Sequence, residues 1–206
     1  MNSIMAGNAD SSGTVYLFAA LFILLLFYAI YFIKMLAQKR RGIQTRQLGK
    51  SKERQVRAVE IALSAATFLI VPVQLISILL KWNMAPGGLR AAGAAMGALG
   101  DVIFLISVIA MKDSWRAGIP AQDKTALVTG GIYAYSRNPA FLGFDLMYAG
   151  ILLMYFNPLL LVCTAWVVVM LHLQILQEEA FLSRTFGAEY AAYRKRTGRY
   201  LGKRGK

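Results

Sequence analysis

The sequence predicts an all-α, polytopic membrane protein with five transmembrane helices. Three observations carry this expectation. Of 206 residues, 57% are hydrophobic and only 16% charged, a balance outside the usual range for a soluble domain. The apolar residues gather into five runs on the length scale of a bilayer crossing. The basic residues, whose excess gives a net charge of +13, fall mainly between those runs. On a soluble surface such a charge would point to nucleic acid. Between membrane spans it points instead to anionic lipid headgroups, so no nucleic-acid partner is expected. The length is that of one domain, and the single cysteine, Cys163, excludes an intramolecular disulfide.

Residues 1–13 are small and polar without Lys or Arg, unlike the basic opening of a cleaved signal peptide. Thr14 to Ala37 is an apolar run of 24 residues broken only by Lys34, about 36 Å long as a helix and enough to span with some tilt. Gln38 to Arg57 then holds eight Lys or Arg against one acid, Glu53. Ala58 to Leu80 is the second span, with Pro72 as a predicted kink and Gln74 and Ser77 as polar points. A short turn, Lys81 to Arg90, carries Pro86-Gly87-Gly88. Ala91 to Met111 is the third span. Its Gly93 and Gly97 have the spacing that lets two helix backbones approach, and packing within the chain is favoured over dimerisation, so no oligomer is required. Lys112 to Asn138 is a longer loop. Phe141 to Phe156 and Leu159 to Gln177 are the last spans, the fourth starting at Pro139. Asn157-Pro158 between them reads as a tight hairpin in which Asn ends one helix and Pro begins the next.

Charge asymmetry orients the chain. The loop after the first span has eight basic residues, the turn after the second has two, and the tail from Glu178 has eight. The positive-inside rule therefore puts the first loop, the third loop and the tail in the cytoplasm, with the N-terminus outside. Five spans require the termini on opposite sides, which agrees. Residues 1–111 form an N-terminal three-helix region and 112–206 a region carrying the chemistry, together one integrated domain.

Two stretches are unusual for membrane connectors. Leu127 to Gly143 combines Gly130-Gly131, Tyr133, Tyr135, Arg137 and Asn138-Pro139. Glu178-Glu179 closes the last apolar run. Paired glycines allow φ > 0 and close backbone approach, although a plain turn is the commoner use. Tyrosines offer a face to a cation or an adenine ring, or simply anchor at the interface. Arg137 is suited to gripping a carboxylate or to snorkelling toward headgroups. Adjacent carboxylates at an apolar helix end require something cationic beside them, either Arg137 and Arg184 or a positively charged ligand. His172, the one histidine, lies within the fifth span at a depth comparable with Asp145, and the two are placed to pair. Asp101 is a further ionisable residue inside a span.

Order and spacing across these stretches carry a resemblance. Leu127-Val128, Gly131, Tyr133, Arg137-Asn138-Pro139, Phe141 and Gly143 are followed by Asn157-Pro158, Glu178-Glu179 with Leu182, Phe186-Gly187 with Glu189-Tyr190 and Tyr193, and Thr197-Gly198. Together they resemble the isoprenylcysteine carboxyl methyltransferase family, which is similar in this region to the phospholipid N-methyltransferases. The likeness covers about the last 85 residues; the first 110 or so match only as a pattern of spans. It implies a membrane methyltransferase that uses S-adenosylmethionine, held at the cytoplasmic face between the loop and the end of helix five. The cofactor-contacting positions it implies are Thr125, Ala126, Leu127, Val128, Tyr133, Asn138, Pro139, Ala140, Phe141 and Glu178. Arg137 and His172 are the catalytic candidates, and no metal is implied. Where the eukaryotic enzymes have an arginine for the substrate carboxylate, this chain has Gln174, which becomes the substrate candidate. The acceptor expected is a lipophilic small molecule or a lipidated substrate, by resemblance a carboxyl of isoprenylcysteine type. The membrane expected is a bacterial inner membrane rather than endoplasmic reticulum. Phospholipid N-methylation is an alternative. So is an NADPH-dependent membrane reductase of the sterol type, although this loop offers only Lys124 and Arg137 for dinucleotide phosphates. A non-catalytic protein that docks on anionic lipid is a third class.

Overall fold

The computed structural model describes residues 2–51, 53–84, 86–119 and 126–202, with side chains from Gly13 onward. Five α-helices form: α1 Asn2–Arg40, α2 Arg54–Leu79, α3 Gly87–Met111, α4 Pro139–Met154 and α5 Pro158–Arg196. Short 3-10 turns at Lys112–Ser114 and Gly131–Ala134 lie in the α3–α4 connection. Four helices are long and apolar enough to cross a membrane. The expected count of five spans is met only as helices. With 16 residues, α4 reaches about 24 Å, short of a typical hydrocarbon core. α1 also begins earlier than its apolar run, at Asn2. Pro72 lies inside α2 without ending it.

The most intimate packing is between α3 and α4, and small residues make it possible. A Cβ added to Gly150 would come 2.5 Å from the Gly97 nitrogen, and one added to Gly93 would come 2.6 Å from the Gly150 carbonyl oxygen. Gly100 and Gly143 meet in the same way one to two turns further along. The Gly93–Gly97 spacing thus serves contacts within the chain, to α4 and, at Gly97, to Ile23 of α1. Phe27 of α1 stacks on Phe104 of α3 at 4.4 Å, with Phe144 of α4 edge-on to both. Large apolar side chains such as Phe22, Leu79, Ile109 and Val162 face outward, as on a surface solvated by lipid tails.

One end of the bundle is closed by the α4–α5 hairpin. Asn157 caps α5, its Oδ1 accepting from the Leu160 amide at 2.9 Å, and Pro158 is the first helical residue, as the Asn-Pro pair predicts. Its Nδ2 donates to Ser77 Oγ at 3.0 Å, tying the hairpin to the end of α2. At the opposite end the α1–α2 loop, the α3–α4 connection, the end of α5 and the C-terminal tail converge. That convergence positions the candidate site.

Candidate functional site

A cavity of about 560 Å³ lies at this convergent end. Its walls are mostly apolar and aromatic, including Tyr28 and Phe32 of α1, Phe68 and Pro72 of α2, and Phe141, Phe144 and Tyr148 of α4. Its polar groups are few. Gln174 and Glu178 enter from α5, and Arg46 and Arg116 from the two loops. Volume and character are those of a small-molecule pocket, apolar with a few placed polar groups.

The paired glutamates divide their work because neighbouring helix positions point about 100° apart. Glu178 faces the cavity, where Gln174 Nε2 donates to its Oε1 at 3.1 Å. Gln174 is 1% exposed, and its own Oε1 has no hydrogen-bond partner among the described residues. Glu179 turns to the other side and is the hub of a buried clasp. Its Oε1 accepts from Arg137 Nη2 at 2.7 Å, from Arg137 Nε at 3.2 Å and from Asn138 Nδ2 at 3.1 Å. Its Oε2 accepts from Arg199 Nη2 at 3.0 Å and Nε at 3.2 Å. Donating these hydrogen bonds to Glu179 raises the Arg199 pKa further above its ordinary value.

The clasp extends along the tail. Arg137 Nη1 donates to the Thr197 carbonyl at 2.6 Å, and the Arg137 amide donates to the Gly198 carbonyl at 3.0 Å. Tyr193 Oη donates to the Tyr133 carbonyl at 2.6 Å. The chain can return this way because α5 breaks at Gly187, where φ is +48°. The left-handed region that glycine tolerates redirects the last helical turns onto the loop. The signature residues of loop and tail are thus bound to one another, forming a rigid frame around the start of α4.

Each sequence candidate has a place relative to this frame. Ala140, Phe141, Gln174 and Glu178 line the cavity. Tyr133, Arg137, Asn138 and Pro139 are buried and belong to the frame. Burial of the Tyr133 ring raises its phenol pKa. Leu127 and Val128 are half-buried in the connecting loop and Ala126 is exposed; the Ala126 amide donates to Ser114 Oγ at 3.3 Å. Thr125 and Lys124 lie outside the described residues. Gly131 has φ +61° with open space where a Cβ would stand, so its role is a turn rather than a close approach. His172 does not bond Asp145. Its Nδ1 meets Tyr200 Oη at 2.6 Å with the rings stacked. Arg184 pairs with Glu53 at 3.0 Å on the surface rather than with the paired glutamates.

Sequence reasoning passed over Glu60, Arg46, Trp115 and Arg199. Glu60 had a signal: it is the one carboxylate in the second apolar run, and an ionisable residue inside a span is a functional hypothesis by default. Arg46 and Arg199 had none, since both sit among many other basic residues.

Residues 89–189, which run from the start of α3 through most of α5, match the phospholipid methyltransferase family. Two probable protein-S-isoprenylcysteine O-methyltransferases, from Oryza sativa subsp. indica and subsp. japonica, are each 33% identical to this chain over 106 residues. Over residues 89–189 the chain is similar to membrane methyltransferases. The alignment covers 49% of this chain and 54% of each rice protein, so the chain spans about half the length of these curated relatives. Family relationship and four bilayer-length helices together describe a multi-pass membrane protein. The matched region begins at α3, earlier than the loop motif alone implied. α1, α2 and the loop between them, which supply half of the residues lining the cavity, lie outside it.

Proposed function

We propose that this protein is an S-adenosylmethionine-dependent methyltransferase that acts on a lipophilic acceptor, by resemblance a carboxyl group of isoprenylcysteine type. The observation that carries the reading is the cavity itself: a carboxylate and a buried, unsatisfied carbonyl oxygen at one end, and apolar walls between helices over the rest. S-adenosylmethionine supplies an electrophilic methyl group on a sulfonium. The residues present fit such a group. Glu178 offers charge to a cation, Gln174 Oε1 needs a hydrogen-bond donor, and Phe141 and Trp115 offer aromatic faces. Glu178, Gln174, Ala140 and Phe141 would hold the donor, and the resemblance adds Thr125, Ala126, Leu127 and Val128 to that set.

The chain's own part is binding, orientation and exclusion of water. An ionised carboxylate acceptor needs no base, only alignment in a dry site. The Arg137–Glu179–Arg199 clasp keeps the start of α4 in register with the end of α5, so Arg137 acts through the frame rather than on a substrate. His172 is held by Tyr200 and does not line the cavity, so its part is to tie the tail to α5 rather than to meet the acceptor. Arg46 and Arg116 at the cavity edge suit an acceptor with an anionic group, and the apolar walls suit its tail. The two regions 1–111 and 112–206 act as one domain, because both contribute cavity wall. We read α4 as a fifth, short span and the convergent end as cytoplasmic, in a bacterial inner membrane.

Incubating the purified protein with methyl-labelled S-adenosylmethionine and a bacterial lipid extract tests this. Label should enter the organic phase, and base-labile release of the label would mark a carboxyl ester. Label that survives base would favour N-methylation. No transfer, together with NADPH consumption, would favour the reductase class instead.

A further inference from the structure

The cavity has a roof made of two chain segments that do not belong to any helix. Residues 45–49 come from the α1–α2 loop and residues 115–119 from the α3–α4 connection. They lie side by side: the Ala117 amide donates to the Thr45 carbonyl at 3.0 Å, and the Gln47 amide donates to the Ala117 carbonyl at 2.8 Å. Gly118, at φ +97°, permits the contact, since a Cβ there would stand 2.8 Å from the Leu48 nitrogen. Arg46 and Leu48 from one segment, and Trp115 to Gly118 from the other, line the cavity.

Two side chains pin this roof to the helices. At one end Gln38 of α1 donates to the Trp115 carbonyl at 3.0 Å and accepts from Thr45 Oγ1 at 2.7 Å. At the other end is Glu60 of α2, which is 0% exposed. Its Oε2 accepts from the Gly49 amide at 2.8 Å and its Oε1 from the Ile119 amide at 3.2 Å. Among the described residues it has no cationic partner. Burying a carboxylate without a cation is costly, and bonds from two backbone amides offset part of that cost. The two amides lie one on each roof segment, 70 residues apart in the chain. A neutral amide side chain could satisfy only one of them, because its NH2 would face the other N–H. The requirement for a carboxylate therefore comes from joining the two segments, not from solvation or ion pairing.

We propose that Glu60 is a positioning residue that locks the two roof segments together and so sets how tightly the cavity closes on the acceptor. This rests on the methyltransferase reading for the word acceptor; the lock itself does not. Glu60 hydrogen-bonds neither the loop 126–141 nor Glu178, so the lock it forms belongs to the α1–α2 side of the cavity, while its charge also reaches Glu178.

The test compares wild type with Glu60→Gln, and with Glu60→Leu, which removes both acceptors. Hydrogen–deuterium exchange is followed at residues 44–50 and 115–119 in detergent-purified protein, without any ligand. Exchange should rise at least tenfold in both segments for Glu60→Leu and in one of them for Glu60→Gln. In the labelled-methyl assay with lipid extract, Glu60→Gln should raise the half-saturating extract concentration severalfold. The maximal rate should stay within twofold, and the dissociation constant for S-adenosylmethionine should change less than the half-saturating concentration does. Unchanged exchange in both segments overturns the lock. Donor affinity, maximal rate and half-saturation falling off together overturns the positioning role in favour of general destabilisation. If the wild type neither binds S-adenosylmethionine nor transfers methyl groups, the methyltransferase reading fails by itself, and the exchange comparison still decides the role of Glu60.

Discussion

Two adjacent glutamates with opposite surroundings give the sharpest expectations at the scale of single residues. Glu179 is held by two arginines and an asparagine inside the frame. Replacing it with alanine strands the buried Arg137 guanidinium, and breaking such a pair costs about 3–5 kcal/mol. Thermal melting in detergent should register that loss. Among the described residues Glu178 bears only the Gln174 hydrogen bond, and it faces the cavity. Glu178→Gln should leave the melting temperature nearly unchanged and weaken S-adenosylmethionine binding by about 1.5–3 kcal/mol, the range for a hydrogen bond to a charged group. Calorimetry on both variants separates the roles; the reverse pattern would reassign them. The sequence made the pair conspicuous, and the expectation that Glu178 is the member facing the loop is corrected by the structure. Helical spacing fixes the angle between neighbours and leaves the absolute rotation of the helix to packing. The structure gives the contact with Arg137 and Asn138 to Glu179.

Elements explain why the frame is rigid. α3 and α4 approach through glycines on both sides, so their contact is backbone on backbone. Gly150→Ala would put a methyl group 2.5 Å from the Gly97 nitrogen. Overpacking of this kind costs about 1–3 kcal/mol. A lowered melting temperature with an unchanged elution volume in gel filtration is expected; a shift toward monomer from a larger species would show that the glycines serve an interface between copies instead. Helix positions were legible because long apolar runs and Pro or Asn boundaries are strong local signals. The break at Gly187 and the fold-back of the tail onto the loop were not, because they depend on contacts between residues about 60 apart, such as Tyr193 with Tyr133 and Arg137 with Thr197. The shared motif residues of loop and tail were visible as a pattern, but their mutual binding was not.

The whole molecule places its three polar connections at one end of an apolar bundle, which is what a membrane enzyme needs to meet a soluble donor and a lipid-borne acceptor. Charge asymmetry predicts that this end is cytoplasmic. Cysteines introduced at Ser11 and Ser51, with Cys163 replaced, should label from opposite sides of sealed vesicles; labelling from the same side would reverse or reduce the span count. The cavity walls come in part from α1 and α2, outside the region matched to the methyltransferase family, so acceptor choice should lie with those helices and donor binding with the matched region. The most direct test of the account is a calorimetric titration of S-adenosylmethionine into the wild-type protein in detergent. One saturable site per chain, with no heat from NADPH under the same conditions, is the predicted result. No binding of S-adenosylmethionine, or saturable binding of NADPH in its place, would contradict it.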